Sequence, residues 1–341
     1  MKDKTLKKYM SLFLILSVIV VIFLDGCISD DLDNTYDISN DRITITINDS
    51  SPSVIQKSEN EDTTTNITNP NISEESVESV SESEISDENI VPGSVENIRF
   101  DPNWEYADYS VINSGDAKLY RASNDRRDIV IGINAGHGTK GGQKVKTYCH
   151  PDKSAKVTGG TTAAGSIKAP AVSGGMTFSD GTSEAKVTLN LAKHLKEKLL
   201  AEGYDVLMLR DEDDVQLDNI ARTVIANNTA ECLISLHWDG DNLSYDKGCF
   251  YISTPDGIKD MDPVTEHWKD HHELGDALID GLRERGCKIY QNGSMSIDLT
   301  QTSYSCIPSI DLELGNQSSA HDDETMSMLA DGIVMGIKKL F

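Results

Sequence analysis

The chain has 341 residues, room for two domains or for one large domain with a tail. It carries 31 Lys plus Arg against 56 Asp plus Glu, a formal net charge of −25, which excludes sequence-independent nucleic-acid binding because clustered cations are needed to displace counterions from phosphate. Hydrophobic residues make up only 38%, so part of the chain is expected not to fold, and the six cysteines show neither a CxxC pair nor regular spacing, against a zinc-finger or small disulfide scaffold.

Lys2, Lys4, Lys7 and Lys8 precede an apolar run from Met10 to Leu24. A basic segment before a short apolar run is the form of a secretory signal, and the run is shorter than the ~20 residues a spanning helix needs. It ends at Leu24-Asp25-Gly26-Cys27, which resembles a bacterial lipobox whose cysteine is lipidated, with Asp25 departing from the usual small or apolar residue. Residues 1–27 are therefore read as a signal with a lipobox or a membrane anchor, an ordinary cleaved signal being the alternative. Each reading puts the rest of the chain outside the cytoplasmic membrane. Residues 28–97 are rich in Ser, Thr, Asn, Asp and Glu, as in Ser73-Glu74-Glu75-Ser76. Such a composition buries too little apolar surface to offset chain entropy, so a disordered acidic linker is expected. Within it, Ile43-Thr44-Ile45-Thr46-Ile47 alternates as a strand does. Residues 98–127 hold Trp104, Tyr106, Tyr109 and Tyr120 and are read as an N-terminal extension packing on the folded domain.

From Asp128 the texture changes. Ile129-Val130-Ile131-Gly132-Ile133 reads as a buried strand. Ala185, Leu189, Ala192, Leu195 and Leu199 recur at helical spacing, which predicts a helix over 183–202 with Ser183 as N-cap and Gly203 as the stop. Strands follow at 205–209, 232–236, 249–252 and 310–312, and helices at 217–227, 265–285 and 324–340. Strands alternating with helices predict an α/β fold: a single open, largely parallel mixed sheet flanked by helices. The catalytic domain is placed at 128–341, with an inserted loop at 140–182 rich in Gly, Ser, Thr and Ala that is expected to be a lid or a substrate-contacting flap.

Four residues stand at strand ends or helix starts, where ligand sites of open α/β sheets gather. His137 follows the first strand in Asn134-Ala135-Gly136-His137-Gly138, the flanking glycines allowing a sharp turn. Glu184 opens the first helix, His237 follows Ser235-Leu236, and Glu313 follows Ile310-Asp311-Leu312. Two imidazoles and a carboxylate are the ligand set of a catalytic zinc that keeps one position for water, and a separate carboxylate serves as general base.

These motifs, in the order His, Glu, His, Glu, resemble the catalytic domain of zinc-dependent N-acetylmuramoyl-L-alanine amidases, bacterial cell-wall hydrolases. The match runs through Gly136-His137-Gly138, Ser183-Glu184-Ala185, the linking stretch Leu209-Arg210-Asp211 with Leu217, Arg222 and Asn227, then Ser235-Leu236-His237 and Glu313-Leu314-Gly315. The resemblance implies that His137, Glu184 and His237 bind one Zn2+ and that Glu313 is catalytic. It implies cleavage of the amide between N-acetylmuramic acid and L-alanine in peptidoglycan, by a monomeric catalytic domain held to the membrane through its N-terminus. The family's Asp-Pro before Gly-His is Asn134-Ala135 here, and the family more often has an aromatic at the place of Asn316. Two further readings stand beside it: a zinc carboxypeptidase-like peptidase, which also requires a group to hold a terminal carboxylate, and a non-catalytic envelope-binding lipoprotein. His267 and His271, with Glu266, His272 and Glu273, share a helix without HExxH order and are read as a solvated polar face. No GxSxG elbow signals a serine hydrolase.

Overall fold

The computed structural model describes residues 91–341. The signal or anchor at 1–27, the strand at 43–47 and nearly all of the acidic linker lie outside the described residues.

Ten strands and five helices follow one another as β1 (Val95–Arg99), β2 (Asp116–Tyr120), β3 (Val130–Ala135), β4 (Lys146–Tyr148), β5 (Lys168–Pro170), α1 (Glu184–Ala201), β6 (Asp205–Met208), α2 (Asn219–Asn227), β7 (Cys232–Asp239), β8 (Cys249–Ser253), α3 (Val264–Arg285), β9 (Ile289–Ser296), α4 (Thr300–Ser303), β10 (Ser309–Asn316) and α5 (Asp323–Ile337). Eight strands form one sheet in the order β1-β2-β6-β3-β7-β10-β8-β9, and β4 pairs with β5 separately. The centre, β6-β3-β7-β10, is parallel, β8 and β9 are parallel to each other, and β1, β2 and β8 join their inner neighbours antiparallel. This is the expected mixed, largely parallel sheet with helices on both faces.

β3 is central because all six of its residues are buried, as a strand covered on both faces requires. Ile131, Ile133 and Ala135 join the core beneath α1, α3 and α5, together with Ile234 and Leu236 of β7 and Ile310 and Leu312 of β10. The alternate residues face α2: Val130 and Leu233 pack on Ala221, Ile225 and Ala226. Toward the C-terminal end of that second face the residues become polar. Asn134, Ser235 and Asp311 are aligned across β3, β7 and β10, and His237 and Glu313 are aligned in the next row.

The helix predicted at 183–202 forms with Ser183 as its N-cap, although the serine side chain makes no capping bond, and Gly203 follows with φ +86°. Two expectations are corrected. β7 and β10 run further than their apolar cores, to Asp239 and Asn316, so His237 and Glu313 lie inside strands and not at their ends. The helix bearing His267, His271 and His272 is not a solvated face throughout: His271 is buried, and its Nδ1 accepts the Ser309 N–H at 3.0 Å. Burial pulls its pKa down to about 3, aided by the charges of His267 and His272, so it stays neutral. β1 begins at Val95, within the segment read as linker, and β9 was not foreseen.

Candidate metal centre

The site forms where β3 and β7 meet the start of α1. The chain leaves β3 at Ala135 and places His137 at φ +67°, the left-handed region that a branched Cβ makes costly and that is found at functional sites. The turn expected of the flanking glycines is shared: Gly138 has φ +70°, and the histidine itself adopts the same region. Gly136 has a different reason to be glycine: a Cβ there would lie 2.3 Å from the His237 ring. The carbonyls of this turn are held by two buried guanidiniums. Arg210 donates to Ala135 O (3.0 Å) and Gly136 O (2.9 Å), and Arg222 donates to His137 O (2.7 Å). Burial brings the Arg222 pKa down to about 9, which leaves it charged at neutral pH.

Three polar atoms converge. His137 Nε2 is 2.8 Å from Glu184 Oε1, and His237 Nδ1 is 3.1 Å from each of them. Among the described residues this is the cluster of three metal-capable groups within 4.8 Å of one another. His137 Nδ1 lies 3.0 Å from the Ser173 carbonyl oxygen and 3.1 Å from the Ser173 hydroxyl, which fix the ring with Nε2 toward Glu184. Glu184 Oε1 already accepts the Trp238 N–H (3.0 Å), and Oε2 accepts the Met176 N–H (2.8 Å). An imidazole nitrogen and a carboxylate oxygen thus face each other in a buried space. Only a shared proton or a cation makes that contact favourable. The donor set, two imidazole nitrogens and one carboxylate, and its spacing fit a zinc ion, whose tetrahedral ligands at ~2.0–2.1 Å stand roughly 3.3 Å apart.

The electrostatics agree. Burial alone would raise Glu184 and lower His237. The hydrogen bonds joining His137 and His237 to Glu184 outweigh it, holding Glu184 well below the usual carboxylate range, and Glu184 with the nearby charges of Asp311 and Glu313 raises His237 to about 9. Glu313 sits beside His237 in register, with its Oε2 buried and unpartnered. Burial pushes its carboxyl well above the usual range, and Glu184, Asp239 and Asp311 add to the rise while His237 opposes it.

All four residues singled out from the sequence thus meet. Glu197 on the same helix is exposed, and Glu202 pairs with Lys338, so Glu184 alone on α1 reaches the site. Sequence reasoning missed three contributors. Ser173 and Met176 come from the 140–182 insertion; Met176 acts through its backbone N–H and Ser173 through its carbonyl and its hydroxyl, and neither stands in a recognisable motif. Asp311 did have one: a carboxylate inside the apolar strand Ile310-Asp311-Leu312. The insertion is not a structureless loop. It carries the β4–β5 pair and is fixed by a buried hydrogen bond between His150 Nε2 and Asp298 Oδ1 (2.8 Å), with Val157 N–H also donating to Asp298 (2.8 Å).

Comparison with known proteins follows the same lines. The N-acetylmuramoyl-L-alanine amidase family matches residues 131–339. Among solved structures, the amidase Ami1 from Mycobacterium smegmatis is 19% identical, with 62% of this chain and 96% of that one covered and a TM-score of 0.51. Ami1 from Mycobacterium abscessus is 20% identical, covering 62% and 98% at 0.49, and AmiC2 of Nostoc punctiforme is 18% identical, covering 63% and 98% at 0.45. At these identities the likeness is one of fold. No curated protein matches the chain. The chain belongs to the N-acetylmuramoyl-L-alanine amidase family, enzymes that hydrolyse the bond between N-acetylmuramic acid and L-alanine in peptidoglycan.

Proposed function

We propose that His137, Glu184 and His237 hold a zinc ion and that Glu313 is the general base of peptidoglycan amide hydrolysis. The observation that carries this reading is the convergence of His137 Nε2, His237 Nδ1 and Glu184 Oε1, 2.8 to 3.1 Å apart, in one buried cluster. A zinc ion bound there supplies Lewis-acid charge that polarises the scissile carbonyl and makes a water acidic near neutral pH. The protein's own part is positioning and proton transfer. Ser173 and Met176 fix the faces of His137 and Glu184, and Arg210 and Arg222 fix the turn that presents His137. Glu313 accepts the proton of the attacking water and passes it to the leaving amine nitrogen.

The peptidase alternative needs a cation for a terminal carboxylate. Arg210 and Arg222, the two guanidiniums that reach the ligand turn, are both buried and spend their donors on carbonyl and hydroxyl oxygens and the Asn134 amide oxygen. This favours the amidase. The catalytic unit spans 128–341, with 98–127 as its extension, and it acts outside the cytoplasmic membrane, tethered through residues 1–27 by way of the acidic linker. No helix among the described residues is long and apolar enough to cross a membrane.

The test combines metal analysis with mass spectrometry of digested peptidoglycan. One zinc per chain and release of whole stem peptides are expected. Release of single amino acids would move the reading to the peptidase, and undiminished hydrolysis after complete chelation would remove zinc from it.

A further inference from the structure

The buried carboxyl of Asp311 has no part in the mechanism above. It is 6% exposed, and its Oδ1 has no hydrogen-bond partner. Opposite it, His237 Nε2 is also buried and without a partner, and Asp311 Oδ2 lies 3.7 Å from that nitrogen. At this separation the two are not hydrogen-bonded, yet each is the obvious partner of the other.

The tautomer of His237 gives the pair its meaning. Its Nδ1 faces Glu184 Oε1 and His137 Nε2, so a metal-ligating His237 must be bare at Nδ1 and carry its hydrogen on Nε2. Asp311 is the acceptor placed to receive that hydrogen. Asp311 is in turn the end of a polar row. Ser235 faces it across the strand pair and stabilises its carboxylate. The serine oxygen already accepts from Asn134 Nδ2 at 3.0 Å, so its hydroxyl hydrogen is free to donate. Asn134 Oδ1 accepts from Arg222 Nη1 at 2.9 Å, and the same guanidinium holds the His137 carbonyl. One arginine thus braces both histidines, His137 through its backbone and His237 through Asn134, Ser235 and Asp311.

We infer that Asp311 is a positioning residue for the metal site: by accepting the Nε2–H of His237 it selects the Nδ1-ligating tautomer and fixes the plane of the ring. The inference rests on the zinc reading above. Carboxylates behind ligating histidines raise ligand basicity, and their loss weakens metal binding by roughly 10–100-fold.

The experiment is zinc affinity by chelator competition in the full-length chain, wild type against Asp311→Leu and Asp311→Asn. Leucine keeps the bulk and removes the acceptor, whereas asparagine keeps an acceptor oxygen. The expected result is zinc binding about 10–100-fold weaker for Asp311→Leu with partial recovery for Asp311→Asn. The unfolding midpoint of each metal-free variant is measured beside it to establish that the fold is kept. Imidazole nitrogen NMR of the zinc-loaded wild type should show the His237 hydrogen on Nε2. Affinity within twofold of wild type for Asp311→Leu, equal loss in both variants, or a hydrogen on Nδ1 overturns the inference. Should the leucine variant fail to fold, the wild-type tautomer decides. Failure of the wild type itself to take up zinc would instead count against the zinc reading.

Discussion

Gly136 and His237 show how little room the site leaves at the scale of single residues. A methyl group at 136 would sit inside the imidazole of His237, and backbone neighbours fix both positions. Gly136→Ala is expected to weaken zinc binding at least ~10-fold by turning that ring out of line, measurable by the same chelator competition. Glu313→Gln should retain zinc while cleavage falls by about 10²–10⁴-fold, the usual worth of a general base, read as stem-peptide release by the zinc-loaded protein. The pH dependence follows from His237. Its folded pKa, about 9, lies above the ~6.5 of an unfolded chain, with Glu184 as its chief partner. A raised pKa stabilises the protonated form, so the metal-free protein holds this contribution in full below pH ~6.5 and loses it as pH rises through about 9. The shifts of His237 and Glu184 describe one interaction and count once. Denaturation midpoints of the metal-free chain should fall across that window, and the fall should be blunted in His237→Ala. Zinc affinity should rise with pH over the same window, because ligation displaces the proton.

Among the elements, the 140–182 insertion has the clearest consequence. It reaches the ligands through Ser173 and Met176, and it is pinned at its far end by His150, Lys156 and Val157 around Asp298. Asp298 and His150 are fully buried, so removing one partner leaves the other uncompensated. Asp298→Ala is expected to cost about 3 kcal/mol and to raise amide exchange through β4 and β5, with zinc affinity falling although no ligand has changed. Unaltered exchange in that segment would mean that the insertion is held from elsewhere. The small hairpin and its buried His150–Asp298 hydrogen bond make this segment a wall of the site, built to keep two ligand atoms aimed.

For the molecule as a whole, the stretch before Asp128 belongs to the sheet. β2 lies against β6, and Ala117 and Leu119 complete the core that contains Leu207, Leu209 and Leu217. Asp205, with no exposed side chain, is held by Arg121 and Arg126 and by the Ala122 N–H. Burial alone would raise its pKa, but these partners outweigh it and keep it below the ordinary value. The lowered pKa means that this stabilisation is present above the unfolded value of ~3.9 and is lost as pH falls through the folded one. A chain starting at residue 91 should fold and cleave peptidoglycan. One starting at 128 strands Asp205 without its arginines, at a cost of about 3–5 kcal/mol, and is expected to be poorly soluble or to unfold at a clearly lower temperature.

The alternation of strands and helices after Asp128, the burial of β3 and the choice of His137, Glu184, His237 and Glu313 as candidates were legible in the chain alone, because burial writes a period into the sequence and the four residues sit in recognisable local contexts. The edge strands were not. Val95-Glu96-Asn97 and Gln291-Asn292-Gly293 are polar, and an edge tolerates polarity that a central strand does not. Nor was the set of contacts that completes the site. Met176 works through its backbone N–H, Ser173 through its carbonyl and hydroxyl, Gly136 through the absence of a Cβ, and Asp311 through its register against Ser235 and its nearness to His237. Periodicity along a chain reports which side of an element is covered. Which atoms then meet depends on how separate strands are aligned, and that alignment exists only in the folded molecule.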